Sequence, residues 1–133
     1  MSSVPEQYVQ FEIQDEKYAI HISEIHEIIK MQEISEIPNA ISYVKGVINL
    51  RGKIIPIISL RKLFGMAEDE YTKHTRVVVV NHKEETVGII VDRVDKVTTF
   101  SDIQPPPERF GGVNGGNFAG IGVVGEKIVG ILK

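Results

Sequence analysis

The most suggestive chemical pattern in this sequence is the glycine spacing G-x-G-x-x-G at residues 120–125. In dinucleotide-binding proteins this spacing follows a strand and opens a helix whose amides bind a pyrophosphate, and an acidic residue follows about 20 positions later. Only eight residues follow Gly125, and residues 126–132 alternate like a strand. The pattern therefore predicts a turn with tight β packing, and we expect no cofactor.

The side chains that bind metals or attack substrates are poorly arranged for either task. Histidines stand at positions 21, 26, 74 and 82, and none has a second histidine two to four residues away. The chain has no cysteine, which removes thiolate ligands, thiol nucleophiles and disulfides. Asp92 and Asp95 are interleaved with Arg93 and Lys96, which favours a solvated face over a matched acid and base. We predict no catalytic residues, no metal site and no enzymatic activity.

The charged residues are unevenly distributed along the chain. Residues 1–40 contain eight acidic and two basic side chains, whereas residues 41–65 contain five basic and no acidic ones. The formal net charge of -3 lacks the strong positive field of a dedicated nucleic-acid binder. The basic stretch fits a docking surface on which Arg51, at a glycine-supported hairpin tip, orients a partner. Two ordinary solvated faces explain the asymmetry equally well.

The elements that would position these residues are predicted to be strands. The chain has 20 Ile and 16 Val against 4 Leu and 4 Ala, a bias toward residues that suit a pleated sheet. Period-two alternation and turn residues predict hairpins over 8–22, 47–60, 77–91 and 118–132. Pro56 favours an edge position for its strand. The spacing of Ile22, Ile25, Ile28 and Ile29 predicts a helical turn beginning near Ser23, and residues 61–64 predict a short helix.

The second half of the pattern repeats the first. An offset of 69 residues lays residues 18–25 on 87–94 with the turn at the same place, and an offset of 74 lays 46–58 on 120–132. The polar run 67–74 is the candidate linker. These observations favour a duplicated β unit, with a first barrel over 8–66 and a second over 75–132, and strand exchange between them is allowed.

Several blocks of the sequence resemble the CheW family of chemotaxis coupling proteins. The most specific is residues 45–52, Lys-Gly-Val-Ile-Asn-Leu-Arg-Gly, and further blocks lie at 18–28, 37–40, 55–58, 87–92 and 118–125. The resemblance covers residues 8–132. It implies an all-β fold of two five-stranded SH3-like β-barrels around a hydrophobic seam, with short helical segments, in a single CheW-like domain over residues 1–133.

The resemblance also implies a function. Members of the family are cytoplasmic, non-enzymatic adaptors between the cytoplasmic tip of methyl-accepting chemotaxis receptors and the regulatory domain of the histidine kinase CheA, with no cofactor, nucleic acid or direct membrane insertion. The receptor-binding positions that match this sequence are Ile25, Glu27, Gly46, Arg51, Gly88 and Val97, and the motif residues beside them are Lys45, Asn49, Leu50 and Gly52. Ile25 and Val97 have an alternative interpretation as core residues, and Gly46 and Gly88 have one as residues required only by the backbone.

The chain departs from the family pattern at two places. Ser59-Leu60-Arg61 stands where the family usually has Asp-Leu-Arg, and the sequence stops at Lys133, where the family continues into a C-terminal helix. We expect lower stability than that of an extended relative. Two alternatives stay open: a small β-barrel nucleic-acid-binding module that uses residues 41–65, and the adaptor part of a CheV-type protein.

Overall fold

The computed structural model describes residues 6–67, 70–82, 84–105, 109–110, 113–114, 118–124 and 127–132. Nearly all of its regular structure is β, which confirms the predicted fold class. The strands are β1 (Tyr8–Ile13), β2 (Glu16–His21), β3 (Ile25–Lys30), β4 (Val44–Leu50), β5 (Lys53–Ser59), β6 (Arg76–His82), β7 (Glu85–Val91), β8 (Arg93–Thr98), β9 (Asp102–Gln104), β10 (Arg109–Phe110), β11 (Val113–Asn114), β12 (Phe118–Val124) and β13 (Lys127–Leu132). A 3₁₀ turn (Ile22–Glu24) and a one-turn helix, α1 (Leu60–Leu63), complete the elements. Among the described residues, no helix is long and apolar enough to cross a membrane.

The chain forms two compact units. Unit 1 contains Met1–Ile22 and Val94–Lys133, and unit 2 contains Ser23–Arg93. The main sheet of unit 1 has the order β8-β1-β2-β13-β12-β9, and the sheet of unit 2 has the order β3-β6-β7-β5-β4. Each unit has its own buried apolar cluster, which includes Tyr8, Ala19, Val129 and Ile131 in unit 1 and Ile48, Ile55, Ile57, Val77 and Ile90 in unit 2.

The duplication expected from the sequence is present in the topology of these two sheets. The 69-residue offset places β1, β2 and β3 on β6, β7 and β8, and the 74-residue offset places β4 and β5 on β12 and β13. With those equivalences, the first five strands of unit 1 follow the same order as the five strands of unit 2. The parallel pairing also has the same register, since Ile131 pairs with Ala19 and the equivalent Ile57 pairs with Gly88.

The two units are not the sequential halves 8–66 and 75–132. Strand β3 follows β2 in the chain but pairs with β6, and β8 follows β7 but lies beside β1. Each sheet therefore combines the first two strands of one repeat with the third, fourth and fifth strands of the other. The boundaries consequently fall after Ile22 and after Arg93, and the described part of the polar run 67–74 lies inside unit 2.

One local expectation is confirmed only in part and another is wrong. The helical turn is confined to Ile22–Glu24, and β3 begins at Ile25 with alternating half-buried and exposed residues, so the isoleucine spacing did not mark a helix. Pro56 is not on an edge strand, because β5 lies between β7 and β4. Pro56 pairs with Val47, whose N–H and C=O both bond to Ser35 at 2.9 Å, and pairing with β7 begins only at Ile57. Neither neighbouring strand therefore requires a hydrogen bond from the nitrogen of Pro56, which has no hydrogen to donate.

Each sheet closes through the segment that follows its first strand in the strand order, β3 in unit 2 and β8 in unit 1. In unit 2 the chain leaves β3 and returns to the far edge, where Ser35 pairs with Val47. In unit 1 the chain leaves β8 and returns as β9, where Gln104 pairs with Ile121. Ser35 and Gln104 are equivalent under the 69-residue offset, and Val47 and Ile121 under the 74-residue offset. The same closure therefore occurs twice.

Candidate functional site

The tip of the β4–β5 hairpin holds the most distinctive part of the family motif. Arg51 and Gly52 are the two turn residues, and both have positive φ angles, 51° and 87°. Positive φ at both central positions is the geometry of a two-residue turn that matches the twist of the flanking strands. The Asn49 side-chain oxygen accepts a hydrogen bond from the Gly52 N–H at 2.8 Å, and Leu50 is buried beneath the turn. The hydrogen bond from Gly52 and the buried side chain of Leu50 together hold the turn in one conformation.

The Arg51 side chain forms an ion pair with Glu27. Its Nη2 donates to the two carboxylate oxygens at 2.6 and 2.8 Å. The Arg51 side chain is 66% exposed, whereas that of Glu27 is 26% exposed. Glu27 lies on β3 and Arg51 follows β4, which are the opposite ends of the strand order in unit 2. The pair therefore links the two edges of the curled sheet while much of the guanidinium faces solvent.

The duplication supplies an internal comparison for this pair. Under the sequence offsets, Arg51 corresponds to Gly125 and Glu27 to Lys96. The second repeat adopts the same strand order with neither member of the pair at these positions. The fold itself does not require the pair, which points to a role particular to unit 2.

The two glycines predicted at the receptor site have structural explanations. A Cβ at Gly46 would lie 2.2 Å from the Ser35 carbonyl oxygen, and its φ of +150° is unfavourable for other residues. The equivalent Gly120 has the same kind of contact, with a Cβ position 3.0 Å from the Gln104 oxygen. A Cβ at Gly88 would lie 2.6 Å from Ile57 Cδ1. These glycines therefore allow close approach of neighbouring groups, whatever contact a partner makes with them.

The remaining predicted positions differ in exposure. Ile25 is half-buried on β3, where it pairs with Val80 next to an irregularity in the strand register. Lys45 is half-buried on β4. Val97 lies on β8 in unit 1 and is 51% exposed. Of the predicted receptor residues, the structure brings Glu27 and Arg51 into direct contact.

Sequence reasoning missed an ion pair at the other end of β5. Arg61 on α1 is 8% exposed and donates to Asp92 through Nε at 3.3 Å and Nη2 at 2.5 Å. Asp92 is thus not part of a simple solvated face. Ser59 caps α1, since its hydroxyl accepts from the Lys62 N–H at 3.2 Å. The hydroxyl therefore provides the acceptor that a family aspartate could also supply.

The structure also locates the patterns considered for chemistry. Residues 120–124 of the glycine pattern lie on β12, in an antiparallel hairpin with β13. Gly125 lies outside the described residues. Within the described ranges, no three His, Asp or Glu side chains are grouped to hold a metal ion.

The described residues define a small duplicated β domain that carries an exposed arginine, held by Glu27, at one hairpin tip. A family model described as "CheW-like domain" matches residues 7–133. The chain belongs to that family, which confirms the resemblance in the sequence.

Named relatives agree with this assignment. The chain is 39% identical over 129 residues to the chemotaxis protein CheW of Helicobacter pylori, an alignment covering 96% of this chain and 78% of the relative. It is 35% identical over 129 residues to the chemotaxis protein CheW of Klebsiella aerogenes, with the same coverage of 96% and 78%. The crystal structure of the scaffolding protein TtCheW from Thermoanaerobacter tengcongensis matches with a TM-score of 0.92 and 34% identity, covering 99% of this chain and 86% of that one.

Proposed function

We propose that this chain is a non-enzymatic, cytoplasmic adaptor that couples the cytoplasmic tip of methyl-accepting chemoreceptors to the regulatory domain of the kinase CheA. Partner binding would recruit it to receptor arrays at the membrane. The observation that carries the proposal is the family match over residues 7–133, together with the similarity to a scaffolding protein across 99% of the chain. The work of such a protein is to hold two partners together, which requires binding surfaces rather than reacting groups.

The hairpin tip of unit 2 is the proposed receptor contact. In the described part of the chain, the bonds to Glu27 use only Nη2 of Arg51, which leaves the Nη1 and Nε donors for an oxygen of the receptor. Glu27 holds the guanidinium in one orientation, and such preorganisation reduces the entropy lost on binding. Arg51 is therefore a better docking group than a freely moving surface arginine.

Apolar contact beside the charge is available on the same hairpin. Ile54 is 59% exposed and pairs with Asn49, one step from the turn that carries Arg51. An exposed isoleucine next to an oriented arginine provides the apolar and polar contacts that commonly occur together at the centre of an interface. Val97 of unit 1 is retained as a proposed receptor contact because of its exposure and its match to the family position.

Binding of a receptor-tip fragment to variant chains tests this placement. We expect Arg51→Glu to weaken the association about tenfold, as for a central interface residue. Lys62→Glu is the matched control, because it makes the same charge change at the opposite end of β5, about 20 Å along the strand. Equal receptor affinity of the two folded variants would exclude Arg51 from the contact. Binding of the kinase regulatory domain should be unchanged by Arg51→Glu.

A further inference from the structure

The end of unit 2 that lies opposite the Arg51 turn carries several cations. Strands β5 and β7 run parallel away from that turn, and β7 ends at Val91. Val91 pairs with Arg76 and Arg76 pairs with Lys30, so both cations lie at this far end. We call Lys30, Lys73, Arg76 and Arg93 the basic end. Directly paired residues on antiparallel strands lie on the same face, so the side chains of Lys30 and Arg76 are neighbours.

The loop that enters β6 is tightly bonded and holds part of the basic end in place. The Thr75 side chain is buried and accepts a hydrogen bond from the Thr72 N–H at 2.8 Å. Arg76 Nη1 donates to the Lys73 and Thr75 carbonyl oxygens at 2.9 and 2.8 Å. Lys73 is thereby presented beside Arg76 on an ordered turn.

In the part of the chain that the structure describes, these cations keep their charge uncompensated by a direct ion pair. Among the described residues, none of the four forms an ion pair with a carboxylate. The pKa of the exposed His74 imidazole lies below its usual value, chiefly because of the charge of Arg93, with further contributions from slight burial and from Lys73 and Arg76. Like charges on directly paired residues are unfavourable unless an anion lies between them.

The equivalent positions of the duplication show that the fold does not need cations here. Under the 69-residue offset, Lys30 corresponds to Thr99, Arg76 to Gln7 and Arg93 to Glu24. The equivalent backbone pairing is kept, since Ile22 N–H donates to the Gln7 carbonyl at 3.0 Å where Val91 pairs with Arg76 in unit 2. The positive charge therefore comes from the particular residues at these positions. The strand arrangement does not require it.

We propose that the basic end binds an acidic, carboxylate-rich segment of a protein partner. The net charge of -3 opposes the approach of a long polyanion such as nucleic acid or an anionic membrane. A short acidic segment interacts within about one Debye length, roughly 8 Å at physiological salt, and is influenced mainly by the nearby cations. This surface lies at the opposite end of unit 2 from Arg51, and its existence does not depend on the proposed receptor contact.

Binding of a fluorescent decaglutamate peptide tests the proposal. Arg93→Glu should weaken binding about three- to tenfold, since it replaces an attracting cation with a repelling carboxylate at an exposed site. Lys96→Glu is the matched control, because Lys96 is on the same strand as Arg93 but faces the opposite side, three residues further along. This variant should bind the peptide as strongly as the unmodified chain does. Both substitutions introduce the residue of the other repeat, because Glu24 and Glu27 stand at the equivalent positions. Circular dichroism checks that both variants are folded.

Three outcomes would overturn the proposal: no peptide binding at low salt, equal weakening by both substitutions, or tighter binding of an oligonucleotide or phosphatidylserine vesicles than of the peptide. Magnetic resonance gives a second readout. The peptide should shift the ring resonances of His74 and leave those of His26, at the other end of β3, unchanged. A shift confined to His26 would contradict the location.

Discussion

The Arg51 guanidinium and the Glu27 carboxylate join the hairpin tip of unit 2 to the edge strand β3, with Nη2 at 2.6 and 2.8 Å from the two oxygens. The family resemblance places both residues at a receptor surface, but it does not show that they contact each other. The contact means that substitution of either residue changes both a group of the proposed receptor surface and a bond within unit 2. The two effects must be separated by experiment.

Reversal of the Arg51–Glu27 pair separates them. Arg51→Glu alone should lower the free energy of unfolding by about 1 kcal/mol, because an exposed pair is replaced by like charges. The double variant Arg51→Glu/Glu27→Arg should return to within about 0.5 kcal/mol of the unmodified chain in urea denaturation. Receptor affinity should stay low in both variants, because the arginine donors are no longer at the hairpin tip. Recovery of receptor binding in the double variant would show that the pair acts only through stability.

Gly46 and Gly120 provide a second test, since they are equivalent positions in the two repeats. Gly46→Ala should destabilise the chain by at least about 2 kcal/mol, because the new Cβ meets a backbone oxygen at 2.2 Å and the φ is +150°. Gly120→Ala should cost less, since its closest contacts are 3.0 Å. Urea midpoints measure both. A fully stable Gly46→Ala variant that fails to bind receptor would instead make Gly46 a direct contact.

Much of the fold was predictable because its determinants are local or repeated. Period-two alternation and turn residues located the hairpins, and the two offsets detected the duplication. The sequence allowed strand exchange but left open which strands are exchanged, since each strand fits either sheet by its local pattern and the choice depends on tertiary pairing. Pro56 was misplaced for a similar reason: its neighbour Val47 directs its hydrogen bonds to Ser35, which only the folded chain shows.

The candidate site was predictable only in part. A glycine-supported turn identified Arg51 as a displayed residue, and the family resemblance supplied the other positions. The partner of Arg51 lies 24 residues away on another strand, and that of Arg61 lies 31 residues away. Such separations leave no periodic signal in a single sequence.

The Arg61–Asp92 ion pair should contribute more to stability than the more exposed ion pair between Lys17 and Asp95. Asp92→Asn removes the carboxylate that accepts from Nε and Nη2 of the 8%-exposed Arg61 and should cost about 3 kcal/mol in urea denaturation. Asp95→Asn is the control, because the Asp95 carboxylate is more exposed and bonds to Lys17 and Gln10. Its loss should cost about 1 kcal/mol or less. Equal effects would mean that burial of Arg61 adds nothing to the strength of its pair.

Tyr18 predicts a specific alkaline transition. Burial, with a smaller contribution from the charge of Glu16, raises the pKa of Tyr18 from 10.0 to about 12. The stabilisation linked to this shift is complete below the unfolded pKa and is lost as the pH rises from about 10 through about 12. Ultraviolet absorbance should show a late tyrosinate step that is absent in Tyr18→Phe. The stability of Tyr18→Phe should also decline less steeply over the same pH window. If the absorbance titration of Tyr18→Phe is the same as that of the unmodified chain, the late step does not belong to Tyr18.

The central claim is that this chain holds a chemoreceptor and the kinase regulatory domain in one complex. Co-sedimentation of a receptor-tip fragment with the CheA regulatory domain, in the presence and absence of the chain, tests it most directly. We predict that the regulatory domain sediments with the receptor fragment only when the chain is added, and less so with Arg51→Glu than with Lys62→Glu. The claim is contradicted if the chain binds neither partner, or if the same amount of regulatory domain sediments without it.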